Sequence, residues 1–495
     1  MKRFILLFLL CFTAYTFSFA ANHQYDFNSN CIKAYQHIMA LQREEAVAIL
    51  KTEQSKNPNN LIPTYLIDYT DCLELLFNGN ESDYPKLKSK QEERLEELEK
   101  GDESSPWHLF CKANIQLHWA LVHLRFGEDF KAANKFRKSF LLLKENKSKF
   151  PNFQENKVLL GLEQSIAGAM PENYKWLGAL FGVKGNVNKG VSEIASYLNA
   201  HKDGNGAMHE EAVIYYAYLK FYLQSQQETA WRYINAAGFA EDENLMRCFI
   251  KANLALNYRK ADAAFTVLKK AEHLKGFNDY PILLYEIAEA MLARLDPKCS
   301  QVYQQFLDHY KGAHFVKDAL LKMSWMAYLQ GNSKDATRIL QLIQLKGKSA
   351  TDADKQALRF AENPNWPLRS LLEVRLLIDG GFYHKALALM QRIDKSKLGT
   401  KANILEYNFR YGRIFEELNN DEKALLFYTA AIQAGRNRKE HYAARAALHK
   451  GYIYERQGKT KEAIVHFRDC LSMRDHDFQS SIDQLAKAAL NRLNQ

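Results

Sequence analysis

The side chains that could do chemistry are scattered along the 495 residues, and no spacing among them closes into a catalytic set. His209-Glu210 opens like a zinc-protease helix, where a second histidine one turn later completes the metal site. Position 213 is Val213, so that ligand is missing. Gly185 to Gly190 has the glycine density of a phosphate cradle but not the Gly-Lys-Ser/Thr ending that supplies a cation and a hydroxyl. A tight turn between helices accounts for those glycines. His37 and His123 fall where large residues pack, and no GxSxG, no DxDxDG and no clustered His/Cys/Asp set occurs. The expectation is a chain that is not an enzyme, with no metal site and no cofactor. What does recur is a series of aromatic and basic residues: Tyr215, Tyr222, Phe249, Tyr285, Trp325 and Tyr328, then Arg375, Arg413, Arg445 and Arg456. Glu406, Glu416, Glu417 and Glu455 are interspersed with the arginines. Aromatic and Arg side chains are the usual anchors of protein interfaces.

Helices must position them. Only 10 Pro and 23 Gly punctuate the chain, too few for an all-β protein, and strong helix formers dominate. Self-similarity supplies the architecture. Gly451, Tyr454, Ala463, Phe467 and Cys470 lie at offsets of 3, 12, 16 and 19 from the glycine, and Gly412, Phe415, Ala424, Tyr428 and Ala431 repeat them. This resembles the tetratricopeptide repeat, a pair of antiparallel helices A and B. Small residues sit where the two backbones approach, because helices reach 8–10 Å only there.

Counting back in this frame, the small helix-B position falls at Ala386, Ala336, Ser300, Ala264, Ala230, Gly190, Ala132 and Ala46. The residue four further on is Leu50, Phe136, Ile194, Ile234, Leu268, Gln304, Leu340, Met390, Tyr428 or Phe467, apolar except at Gln304. Steps of 34, 36, 36, 38 and 39 residues fit a 34-residue unit with loop insertions. Three longer steps leave room for extra helices at Leu61–Asn78 and Asp83–Lys100, at about 153–169, and at Asp352–Glu362. The expected fold is an all-α, right-handed superhelical solenoid of about ten to eleven repeats. It divides into a signal peptide (1–20), divergent N-terminal repeats (21–205), a regular central array (206–345) and a C-terminal array with a closing helix (346–495).

In such a superhelix helix A lines the concave groove. The aromatic and arginine series occupies its inward positions, so the groove should pass from aromatic-apolar to mixed-charge. The expected role is a scaffold holding a protein or peptide partner there. A glycan- or lipid-binding repeat protein of the cell envelope is the alternative, since tyrosines also suit a sugar or an acyl chain. The Lys-Asn pattern that clamps a C-terminal carboxylate is not met, because Phe249 stands where Lys belongs.

The first twenty residues read as a signal peptide. Lys2 and Arg3 precede the apolar run Phe4 to Phe12, and Ser18-Phe19-Ala20 offers a small-x-small cleavage site. Cleavage near Ala20 would export the protein to the periplasm or the medium, without a later membrane span. The formal charge of +10 falls to +8 without Lys2 and Arg3, and acids interleave with bases, which argues against nucleic acid. The nearest basic cluster is Arg436, Arg438, Lys439, Arg445 and Lys450. The six later cysteines form no CxxC pair and read as core thiols.

One stretch resembles a narrower family. Gly161, Pro171, Leu180-Phe181-Gly182-Val183-Lys184-Gly185-Asn186 and Gly190-Val191 are similar to a motif of the tetratricopeptide repeat protein 39 / inclusion-body-clearance family. His476 to Ser481 and Ala488-Ala489-Leu490 resemble its closing helix. The resemblance implies a long helical-repeat adaptor, often linked to lipid or aggregate handling.

Overall fold

The computed structural model describes residues 23–169, 185–236, 239, 241 and 243–493. The signal-peptide reading and the Pro171 and Leu180–Lys184 parts of the family motif lie outside the described residues. Within them the chain is helical, with only isolated β-bridges where His23 and Gln24 rest against Gly101 and Asn60.

Among the described residues, eleven antiparallel hairpins follow one another. The first four are α1/α2 (Ser29–Met39, Arg43–Lys56), α3/α4 (Ile62–Asn78, Tyr84–Leu98), α5/α6 (Pro106–Arg125, Asp129–Lys149) and α7/α8 (Asn156–Gly168, Val187–Ala200). The next four are α9/α10 (His209–Tyr218, Gln227–Ile234), α11/α12 (Leu245–Asn257, Ala261–Ala271), α13/α14 (Ile282–Ala293, Cys299–His309) and α15/α16 (Val316–Leu329, Ser333–Leu345). A single helix α17 (Asp352–Glu362) precedes the last three, α18/α19 (Arg369–Asp379, Tyr383–Gln391), α20/α21 (Lys401–Glu417, Asp421–Gly435) and α22/α23 (Tyr442–Arg456, Thr460–Ser472). Helix α24 (Gln479–Leu493) covers the end. The chain is an all-α helical-repeat solenoid, and the extra helices stand where the long steps predict them.

The small residues explain the hairpins. Ala46, Ala132, Ala230, Ala264, Ala336, Ala386, Ala424 and Ala463 are all buried. A Cβ on Gly412 would lie 2.5 Å from the Tyr428 ring, and one on Gly451 would strike Phe467. Glycine on helix A is therefore the space that the helix-B aromatic fills. Gly161 and Gly190 do the same for α7 and α8, where a Cβ on Gly161 would lie 2.6 Å from the Gly190 carbonyl oxygen. One unit needs correction: Cys299 and Tyr303 are fully buried, whereas Gln304 is exposed. The frame at Ser300 and Gln304 is off by one residue, which removes the single polar exception.

Helix α17 is held by a tertiary cap. The buried Asp354 carboxylate accepts from the backbone N–H of Phe315 (2.9 Å), Lys317 (3.1 Å) and Asp318 (3.2 Å), the orphan donors opening α15. It also closes a capping box with Thr351 at the start of its own helix.

The solenoid also folds onto itself, which nearest-neighbour stacking does not require. Three successive connections between middle repeats touch the N-terminal hairpins: Lys275 pairs with Glu45, Tyr310 accepts from Arg125 (2.7 Å), and Lys348 reaches Glu81 (2.5 Å). On the opposite side the α11–α12 turn meets the C-terminal repeats, where Arg259 pairs with Glu417 and the Ala261 N–H donates to the Gly380 carbonyl (3.2 Å). All six later cysteines are buried. No helix among the described residues is long and apolar enough to cross a membrane.

Candidate functional site

Helices α11, α13, α15, α18, α20 and α22 contact one another in sequence along one side, which defines the inner face of the array. The sequence-predicted residues divide along it into three groups.

The first group is packed away. Phe249 meets Phe77 of α3 edge-on at 5.0 Å, so the N-terminal hairpins cover it. Tyr285 is buried against Phe315 and donates its hydroxyl proton to Asp318 at 2.5 Å. Tyr215 is half-buried beside Glu211, and burial holds its hydroxyl well above the usual tyrosine range. Arg413 is buried, between Glu416 (2.7 Å) and Glu417 (2.5 Å), with His449 Nδ1 at 3.0 Å. As freely accessible groove positions these four are corrected: the chain's own side chains satisfy them.

The second group stands at the margins. Tyr222 is 46% exposed, beside Phe221 and Tyr218. Arg456 is exposed and pairs with Asp421 at 2.6 Å, near the α20–α21 turn. Glu455 pairs with Arg492 of α24 at 2.9 Å.

The third group forms a continuous patch. Trp325 is itself buried, so as an accessible groove position it too is corrected, and it lies under the Arg375 guanidinium, 5.0 Å from ring centroid to Cζ. Tyr328 is half-buried against Trp366 (4.6 Å) and Arg369 (4.9 Å), and its hydroxyl donates to the Pro367 carbonyl at 3.0 Å. One helix further, Arg410 pairs with Glu406 at 2.8 Å and stacks on Tyr442 at 5.4 Å. Arg445 of α22 completes the row. It is exposed and makes no ion pair among the described residues.

The electrostatics follow from this crowding of guanidiniums. The Arg445 pKa is shifted down, first because surrounding protein desolvates it and then because Arg413 and Arg410 face it. Burial pushes the His441 imidazole down to about 3, and Arg445, Arg410 and Arg375 push the same way. His449 falls to about 4, because burial and Arg413 outweigh the opposing pull of Glu416. Both rings are neutral at pH 7, and the patch carries its positive charge on arginine alone.

The sequence reading missed Arg259, Arg410, His441 and Tyr442. Arg410 carries a local signal, since Glu406 lies four residues before it on one helix face. Arg259 carries none: its place beside Glu417 exists only because two distant turns meet. The basic cluster of the sequence also splits. Arg436 pairs with Asp469 (2.7 Å), Arg438 with Glu440 (2.7 Å), and Lys450 donates to Thr429 (2.9 Å), whereas Arg445 belongs to the inner face.

Comparison with known proteins agrees with this architecture. Residues 444–477 match the family model of the tetratricopeptide repeat, which places that repeat on α22/α23 and the chain among helical-repeat proteins. No curated protein sequence matches the chain. Among solved structures it is similar to the TPR domain of P58(IPK), at 14% identity over 94% of this chain and 97% of that one, with a TM-score of 0.21. It is also similar to the human IFIT1 dimer with PPP-AAAA (16% identity, 82% and 89% coverage, TM-score 0.35). The apo quorum sensor NprR from B. thuringiensis gives 13% identity, 82% and 97% coverage and a TM-score of 0.28. Superpositions this loose bear on neither partner nor role.

Proposed function

We propose that this protein is a non-catalytic scaffold that holds an extended segment of a partner protein against the inner face running from Trp325 to Arg445. The observation that carries this reading is the continuity of the patch. Four successive helices A each contribute an aromatic or arginine side chain, and such side chains are the common anchors of protein recognition. The match to the tetratricopeptide repeat fits the same role, and so does the likeness of residues 161–198 to an adaptor family. We place the protein outside the cytoplasm on the strength of residues 1–20 alone.

Position-specific photo-cross-linking in the native envelope or culture fluid tests the proposal. A photoreactive side chain replacing Arg375 should capture a protein, while one replacing Leu426, 66% exposed on helix α21, should not. Equal capture from both positions, or none from either, would sink the scaffold reading. The exposed Tyr222 favours a second reading, in which the face takes a glycan. Co-purification of a carbohydrate that Tyr222→Ala releases would support it.

A further inference from the structure

Resting on the scaffold reading, we infer that Arg445 anchors a carboxylate side chain of the bound segment, so that the partner presents an acidic, extended stretch of polypeptide. Most guanidiniums of the patch already have a carboxylate. Arg410 holds Glu406, Arg413 holds Glu416 and Glu417, Arg259 holds Glu417, and Arg375 lies 3.6 Å from Asp379. Arg369, stacked over Tyr328, and Arg445 are left without an ion pair among the described residues, and Arg445 lies one helical turn from Tyr442, which stacks on Arg410, and one turn from His449, whose Nδ1 is 3.0 Å from Arg413. A guanidinium enclosed among like charges gains from a charge-assisted, two-pronged bond to a carboxylate that water supplies poorly. Tyr442, beside Arg410, and the half-buried Tyr328 provide flat apolar surface on either side for the rest of the segment.

The surrounding acids decide the class of anion. Asp379, Glu406 and Glu417 stand among the arginines, so a continuous polyanion such as nucleic acid would meet repulsion at each step. A polypeptide with isolated carboxylates avoids it. The inner face thereby selects by placement of charge and not by its quantity.

Fluorescence anisotropy on the full chain provides the test, using a labelled peptide of alternating glutamate and alanine, its glutamine counterpart and a duplex oligonucleotide. The glutamate peptide should bind, Arg445→Gln should weaken it about tenfold or more, and the glutamine peptide should bind weakly to both proteins. Arg438→Gln removes an equal charge outside the patch and should change affinity by about twofold at most. Thermal unfolding of Arg445→Gln should match the parent, since the side chain holds no ion pair among the described residues. Equal binding of the two peptides, insensitivity to Arg445→Gln, or tighter Arg445-dependent binding of the duplex would overturn the inference. Cross-linked capture from position 375 that survives Arg445→Gln would leave the scaffold standing and remove the acidic anchor. Arg445-dependent peptide binding without any cross-linked protein would keep the anchor and remove the scaffold.

Discussion

Arg375 lies over the indole of Trp325, with its guanidinium carbon 5.0 Å from the ring centroid, and thereby joins helix α18 to helix α15 across the inserted helix α17. The indole is only 7% exposed and its N–H has no hydrogen-bond partner among the described residues. Trp325 is thus the floor of the patch and Arg375 its surface. Arg375→Ala should cost about 1 kcal/mol of stability, as a partly desolvated cation–π contact. In a urea-unfolding double-mutant cycle with Trp325→Leu, most of that loss should disappear. Additive losses would show that the stacking carries no energy.

Gly412 and Gly451 test the repeat frame from the helix-A side. Alanine at either position forces the ring of Tyr428 or Phe467 out of a fully buried site. Each substitution should cost about 1–3 kcal/mol, the range for an overpacked core, as should Ala424→Leu and Ala463→Leu on helix B. Calorimetry that finds all four melting with the parent would contradict the packing described for α20 to α23.

Asp354 is the sole described acceptor for three opening N–H groups of α15 that lie 36 to 39 residues away. Asp354→Ala should destabilise by about 3 kcal/mol, because charge-assisted bonds are lost and buried donors are stranded. Hydrogen exchange should accelerate first at Phe315, Lys317 and Asp318. Unchanged protection there would remove the cap from the account.

The contact between the N-terminal hairpins and the middle array has a pH signature. Glu211 is buried on α9 and accepts from the Tyr35 hydroxyl of α1, and burial lifts its carboxyl to about 7. Glu286, bonded to Asn253 Nδ2 at 2.8 Å, is lifted to about 7 by the same cause. Both groups bind a proton more tightly folded than unfolded, so their contribution to stability is fully present below about pH 4.5. It falls as pH rises toward 7, by about 3 kcal/mol for each group. Glu211→Gln should flatten half of that slope and raise the melting temperature at pH 8. A slope that Glu211→Gln leaves unaltered would show that this carboxyl is solvated.

Much of the fold is legible in the sequence, because the rule behind it is local. Two helices joined by a short turn cross closely only where small residues face an aromatic, and Gly412-Tyr428 and Gly451-Phe467 state that rule at fixed offsets. Extra helices show themselves as surplus length with its own apolar pattern, and Asp352–Glu362 appears with the ends expected of it. The misregistered frame at Ser300 marks the limit: Cys299 passes as a small core residue only once its neighbour Tyr303 is seen to be buried.

The site is legible in part. Helix-A positions place Trp325, Tyr328, Arg375 and Arg445 on one face, since helical periodicity fixes direction from the repeat alone. Whether that face stays open depends on where the solenoid curls. Phe77 covers Phe249, Tyr35 of α1 reaches Glu211 across 176 residues, and Arg259 joins Glu417 across 158. Small rotations summed over several hairpins bring those pairs together, and no short stretch of sequence encodes the sum. The sequence by itself determined that helices would pair and which side chains would look inward. Only the tertiary structure decided which of them found partners within the chain, and left Arg445 without one among the described residues.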